Sequence, residues 1–202
     1  MLRNSRHSGR AERPRFVSRL GLGLWFCAML LVGASLLAKH LLALPAPPID
    51  AKLAASLSAL RDTGLAKRWL AVHVLNSTCR CSRNIANHLI ASTRPKGWDE
   101  VVLWAGSESP DPALLARLRV IRVTEVDLAR LGIQAAPLLA VLDPGNRLRY
   151  VGGYSPRKQG PQIEDGRIFD QVQSTAMVAA LPVFGCAVSE RLREQLSIVR
   201  GL

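Results

Sequence analysis

An apolar run that stops at a pair of cysteines and restarts as a helix leaves few folds open to a chain. Residues Val72 to Ser82 read V-H-V-L-N-S-T-C-R-C-S, with Cys79 and Cys81 one residue apart. The apolar run Trp69 to Leu75 has the length of a buried strand, and Ile85, Ala86, Leu89 and Ile90 repeat at helical spacing just beyond the cysteines. A strand that delivers a cysteine to a helix N-terminus makes a reactive thiol. The helix start carries partial positive charge and free backbone N–H groups, which favour thiolate over thiol. Arg80 and Arg83 add positive charge nearby. Thiol chemistry is therefore expected, and the remaining residues must supply a scaffold and a compartment.

The compartment is argued from the N-terminal end. Six arginines fall within residues 1–19: Arg3, Arg6, Arg10, Arg13, Arg15 and Arg19. Leu20 to Ala38 then runs nineteen residues without a charge. At about 1.5 Å per helical residue that run nearly spans a hydrocarbon core of about 30 Å. A cleaved signal peptide would have a shorter apolar region and an A-x-A-like site, neither of which is present. Segment 1–19 is expected to be basic, disordered and cytoplasmic, segment 20–38 a single-pass anchor, and 39–50 a proline-rich linker. Residues 51–202 form the outer domain, periplasmic in a Gram-negative cell. The net charge of +12 is spread along the chain with few aromatics and no nucleic-acid-binding motif, so no nucleic-acid partner is expected.

Beyond the linker, helical and strand patterns alternate. Asp50 to Leu65 reads as an amphipathic helix, with Leu53, Leu57 and Leu60 on one face. Asp99 to Ala105 and Val120 to Val123 read as strands, with a short helix begun by Ser109-Pro110 between them and another over Glu125 to Leu131. Leu138 to Leu142, the turn Asp143-Pro144-Gly145-Asn146 and Arg147 to Val151 read as a hairpin. Ser155 to Gly166 reads as a loop, Ile168 to Ala180 as a helix, Pro182 to Cys186 as a turn, and Ala187 to Val199 as a final helix. Such an order indicates an α/β sheet with helices on both faces.

From Leu60 to Val199 this element order resembles the thioredoxin-like superfamily. The likeness is sharpest over Trp69 to Ile90 and over Gly132-Ile133, Pro137, Asp143, Gly145 and Gly152-Gly153. That second set resembles the glycine–proline–aspartate–glycine pattern of the membrane-anchored TlpA-like branch. The C-x-C pair, with P-V-F-G-C ending at Cys186, resembles its RedB-type members. The resemblance implies a thioredoxin-like fold, a central mixed sheet flanked by helices, following one transmembrane helix. It implies an inner-membrane protein with its redox domain in the periplasm. It also implies a cis Pro137 whose loop faces the reactive cysteine, with Ala136 and Pro137 holding an extended substrate backbone. In the two-residue spacing of that family, Ser82 stands where the resolving cysteine would be.

The expected function is thiol–disulfide exchange through Cys79, with Cys81 or Cys186 resolving, on protein thiols or disulfides, with no cofactor. A membrane electron donor is left unidentified. A Cys79–Cys81 bridge requires Cys79 to precede the helix, because Cβ vectors two residues apart diverge within one. The other pairings join Cys186 to either partner, and any single disulfide leaves one thiol over. Two alternatives stand beside this: Cu(I) or Zn(II) held by Cys79, Cys81 and Cys186, or a non-catalytic thioredoxin-like interaction module. Cys27, within the apolar run, reads as an apolar filler. His73 reads as a packed core histidine and His88 as a surface one.

Overall fold

Strand β1, Trp69–Asn76, lies at the centre of the sheet that positions the cysteines. The computed structural model describes residues 15–41, 43–65, 67–158, 162–174 and 178–200, with side chains outside 15–19, 37–41 and 198–200. The expected disordered segment thus lies, through residue 14, outside the described residues. The chain divides into two units, the first ending at Leu42 and the second beginning at Ala43.

The first unit contains helix α1, Arg15–Leu41. The apolar run is therefore helical, and its side chains, among them Leu24, Trp25 and Leu31, are exposed. Among the described residues, however, no helix is long and apolar enough to cross a membrane. The described side chains of α1 cover residues 20–36.

In the second unit, β1 pairs in parallel with β2, Trp98–Ala105, which pairs in parallel with β3, Arg119–Val123. On its other side β1 pairs antiparallel with β5, Leu138–Leu142, and β5 with β6, Leu148–Gly152. The order β3-β2-β1-β5-β6 is a mixed sheet and fits a thioredoxin-like fold. Between β1 and β2 runs α3, Arg80–Ala91; α4, Pro112–Arg117, precedes β3, and α5, Glu125–Arg130, follows it. Helix α2, Ala51–Ser58, precedes β1, and α6, Asp165–Ser174, and α7, Glu190–Arg200, close the chain.

Alternation along β1 sorts the core into two layers. Leu70, Val72 and Val74 pack with Leu53 and Leu57 of α2, Leu128 of α5 and Leu192 of α7. Ala71 and Leu75 point the other way, to Ile85 and Leu89 of α3, Leu114 of α4 and Phe169 of α6. A fully buried leucine such as Leu57 or Leu89 stabilises the fold by about 2 kcal/mol. The helices are capped by their own sequence. The Leu53 N–H donates to Asp50 Oδ1 at 2.7 Å, and Thr124 with Asp127 forms a capping box on α5.

Several elements differ from the sequence reading: α6 spans Asp165–Ser174 rather than Ile168 to Ala180, and α7 starts at Glu190 rather than Ala187. Helix α2 stops at Ser58 rather than Leu65, and a short 3-10 turn, Thr63–Leu65, follows. The Asp62 carboxylate favours that turn by accepting the Gly64 N–H at 2.8 Å. Helix α4 begins at Pro112 because Asp111, not Ser109, is its cap, accepting the Ala113 N–H at 2.8 Å. The stretch read as a turn at Cys186 is instead a short strand. β7, Cys186–Ala187, pairs antiparallel with β4, Ala135–Ala136.

Candidate active site

The Asn76 side chain shapes the loop that follows β1. Its Oδ1 accepts hydrogen bonds from the Thr78 N–H at 2.9 Å and the Thr78 hydroxyl at 2.7 Å. The Ser77 N–H donates to the Ala105 carbonyl at the end of β2, 2.9 Å away. Gly106 permits this approach: its φ is 100°, and a Cβ there would lie 2.2 Å from Ser77 Oγ. The loop hands Cys79 to α3 as its N-cap, in extended conformation and without a side-chain capping bond. Cys79 thus precedes the helix, the condition for closing a C-x-C bridge. Its sulfur lies 3.7 Å from the Ala136 carbonyl oxygen, and the next peptide bond, Ala136–Pro137, is cis.

Strand β7 brings in the distant cysteine by setting Cys186 opposite Ala136. Backbone bonds of 2.8 Å fasten the segment on both sides, from the Val188 N–H to Gln134, the Gly153 N–H to Leu181 and the Leu44 N–H to Val183. A Cβ on Gly185 would lie 1.9 Å from the Ala136 oxygen, so only glycine fits that crossing. Ala136 therefore spends its pairing edge on the chain's own strand. All three thiols are free, with Cys79 at 0% exposure, Cys81 half-buried and Cys186 exposed.

The electrostatics single out Cys79. Hydrogen bonds from the Cys186 thiol, and next from the Cys81 thiol, stabilise its thiolate and hold its pKa far below the usual thiol range, against the opposing effect of burial. The backbone N–H and the hydroxyl of Ser82 add to this. The negative sulfur of Cys79, together with burial, pushes the Cys81 and Cys186 thiols well upward. Ser82 Oγ is buried with no hydrogen-bond partner among the described residues, which leaves its hydroxyl free to favour the nearby Cys79 thiolate. The two-residue spacing marked Ser82 as the missing cysteine; its part in holding the thiolate was not read from sequence.

A second polar feature lies beneath the site. His73, fully buried in β1, bonds the Tyr154 hydroxyl through Nδ1 at 2.8 Å and Glu100 through Nε2 at 3.0 Å. Arg94 joins Glu100 to Asp165, reaching the latter at 2.7 Å, and His88 bonds Asp165 at 2.8 Å. Burial pushes the Glu100 carboxyl upward, but His73 and Arg94 outweigh it and hold the pKa at about 2. His73 is the packed core histidine expected. His88, read as a surface residue, is instead half-buried and hydrogen-bonded to Asp165. The signal for this network was the charged pair Asp99-Glu100 inside a strand pattern buried on both faces.

The remaining carboxylates have local duties. Glu125 pairs with Arg193, Glu164 with Arg167, and Asp143 closes the hairpin turn by accepting the Arg147 N–H at 2.9 Å. Among the described residues no group of three or more His, Cys, Asp or Glu side chains is placed to hold a metal ion. Strand β7 brings Cys186 to the end of the sheet where Cys79 and Cys81 begin α3.

No protein-family model matches the chain, and no curated relative does. Among solved structures, it is similar to an uncharacterized conserved protein from Geobacillus kaustophilus, with TM-score 0.50 and 14% identity over 61% of this chain and 77% of that one. The thioredoxin domain of a thiol-disulfide oxidoreductase from Bacteroides vulgatus gives a TM-score of 0.34 and 12% identity over 42% of this chain and 69% of that one. A thioredoxin-like superfamily protein gives 0.37 and 14%, over 68% and 98%. At these identities the similarity extends to the fold, and the chemistry rests on the cysteines themselves.

Proposed function

We propose that the second unit is a thiol–disulfide oxidoreductase in which Cys79 is the common partner of two more accessible thiols. One observation carries this reading: β7 sets Cys186 opposite Ala136, whose carbonyl oxygen lies 3.7 Å from the buried Cys79 sulfur, and Cys81 stands two residues along α3 from that sulfur. With Cys79 closed off, an external partner meets Cys81 or Cys186. In the oxidising direction, a partner thiolate attacks the exposed sulfur of a Cys79–Cys186 or Cys79–Cys81 disulfide. That S–S bond breaks and Cys79 leaves as a thiolate, the form its surroundings favour. A second partner thiolate then attacks the mixed disulfide and frees the protein thiol, so two electrons have passed from partner to protein. The reverse sequence reduces a partner disulfide.

The charge-free run from Leu20 to Ala38, with arginines crowded before it, supports an inner-membrane anchor with this unit on the periplasmic side. Protein thiols or disulfides and a membrane electron donor are the partners such a location offers. Cys79→Ser tests the central reading. The variant should retain its fold by circular dichroism and lose at least about a hundredfold in exchange rate, since a mixed disulfide on Cys81 or Cys186 then lacks the Cys79 thiolate that resolves it. An unchanged rate would sink the proposal.

A further inference from the structure

A cavity of 610 Å³ opens beside Cys81 and is bounded on one side by Pro137. Arg80, Asn84 and Asn87 line it from one face of α3, and Arg157 lines it from the loop after β6. None of these four side chains has a hydrogen-bond or ion-pair partner among the described residues. Lys158 adds a cation close enough to act on the Cys81 and Cys186 sulfurs. The cavity therefore offers unspent guanidinium and amide donors beside a thiol, a set suited to carboxylates and amides. An extended peptide, by contrast, would need the edge of Ala136, which β7 already holds through backbone pairing and the Gly185 contact.

We infer that the cavity beside Cys81 takes a small anionic disulfide, or the thiol formed from it, bearing carboxylate groups. This rests on the oxidoreductase reading and names its substrate class. Cys81 passes its proton to the Cys79 thiolate as it attacks one sulfur of the disulfide RSSR, and Cys79 returns that proton to the departing RS⁻. The S–S bond breaks, one RS⁻ departs with the electron pair and takes up a proton, and a Cys81–S–S–R mixed disulfide remains. Cys79 then attacks the Cys81 sulfur and expels the second RS⁻. The protein dithiol loses two electrons and RSSR becomes two RSH. Arg80 and Arg157 hold the carboxylates throughout.

The test uses the reduced full-length chain and three small disulfides: anionic dithiodipropionate, neutral hydroxyethyl disulfide and cationic cystamine. Each oxidation rate is divided by that of the same disulfide with free mercaptoethanol thiolate, which removes intrinsic reactivity. The anionic probe should exceed the neutral one by about tenfold at low ionic strength, and the gap should shrink as salt is raised. Arg157→Glu should bring the ratio to about one. Arg147→Gln, at the hairpin turn beyond the opposite end of β1, should leave it unchanged. Equal normalised rates, or an equal loss of preference in Arg147→Gln, would overturn the inference and leave the oxidoreductase reading standing. Failure of every probe to oxidise the protein would overturn both.

Discussion

At the scale of residues, the site depends on what surrounds one sulfur. Ser82 supplies a buried hydroxyl and an N–H to Cys79 from one helical turn on. Ser82→Ala should remove about 1 kcal/mol of thiolate stabilisation, raising the Cys79 pKa and slowing exchange by about fivefold. A pH titration of thiolate absorbance in wild type and variant checks this, and identical curves would contradict it. Cys79, Cys81, Cys186, Ala136 and Pro137 could all be named from sequence, because cysteines and an X–Pro bond at a strand start are visible as letters. The burial of Cys79 could not. It arises from a segment more than a hundred residues away, and no local pattern at Cys79 records that cover.

At the scale of elements, β7 is where sequence reading failed and where the structure is most informative. A strand of two residues has no alternation to detect, and Pro182 and Gly185 gave it the signature of a turn. What defines β7 is its pairing with β4, a long-range contact. The longer strands behave differently. β1, β2 and β5 follow their apolar runs closely, because central strands buried on both faces carry continuous apolar sequence. Gly185→Ala tests the role of β7: the added methyl cannot fit against the Ala136 oxygen. We expect a loss of about 1–3 kcal/mol in stability, together with much faster alkylation of Cys79. Denaturant midpoints and mass-resolved alkylation read the two effects, and unchanged Cys79 alkylation would show that β7 does not guard the sulfur.

At the scale of the whole molecule, the sheet carries a reactive edge above a buried polar network. Glu100, bonded to His73 and Arg94, has a folded pKa of about 2, below its unfolded value of about 4.3. A depressed carboxylate stabilises the fold fully above the unfolded value and loses that contribution as pH falls through the folded one. The contribution is on the order of 3 kcal/mol. Glu100→Gln should therefore be less stable than wild type at neutral pH, with the gap closing toward strong acid. Urea midpoints across that range measure it, and a gap constant with pH would contradict this assignment.

The claim on which the whole account turns is that Cys79 is the shared partner of the other two thiols. Disulfide mapping of the oxidised full-length chain, by proteolysis and mass spectrometry in a Cys27→Ser background, tests it most directly. Every intramolecular disulfide found should contain Cys79, joined to Cys186 or Cys81, with the remaining cysteine free. A Cys81–Cys186 disulfide with Cys79 left as a free thiol would contradict it.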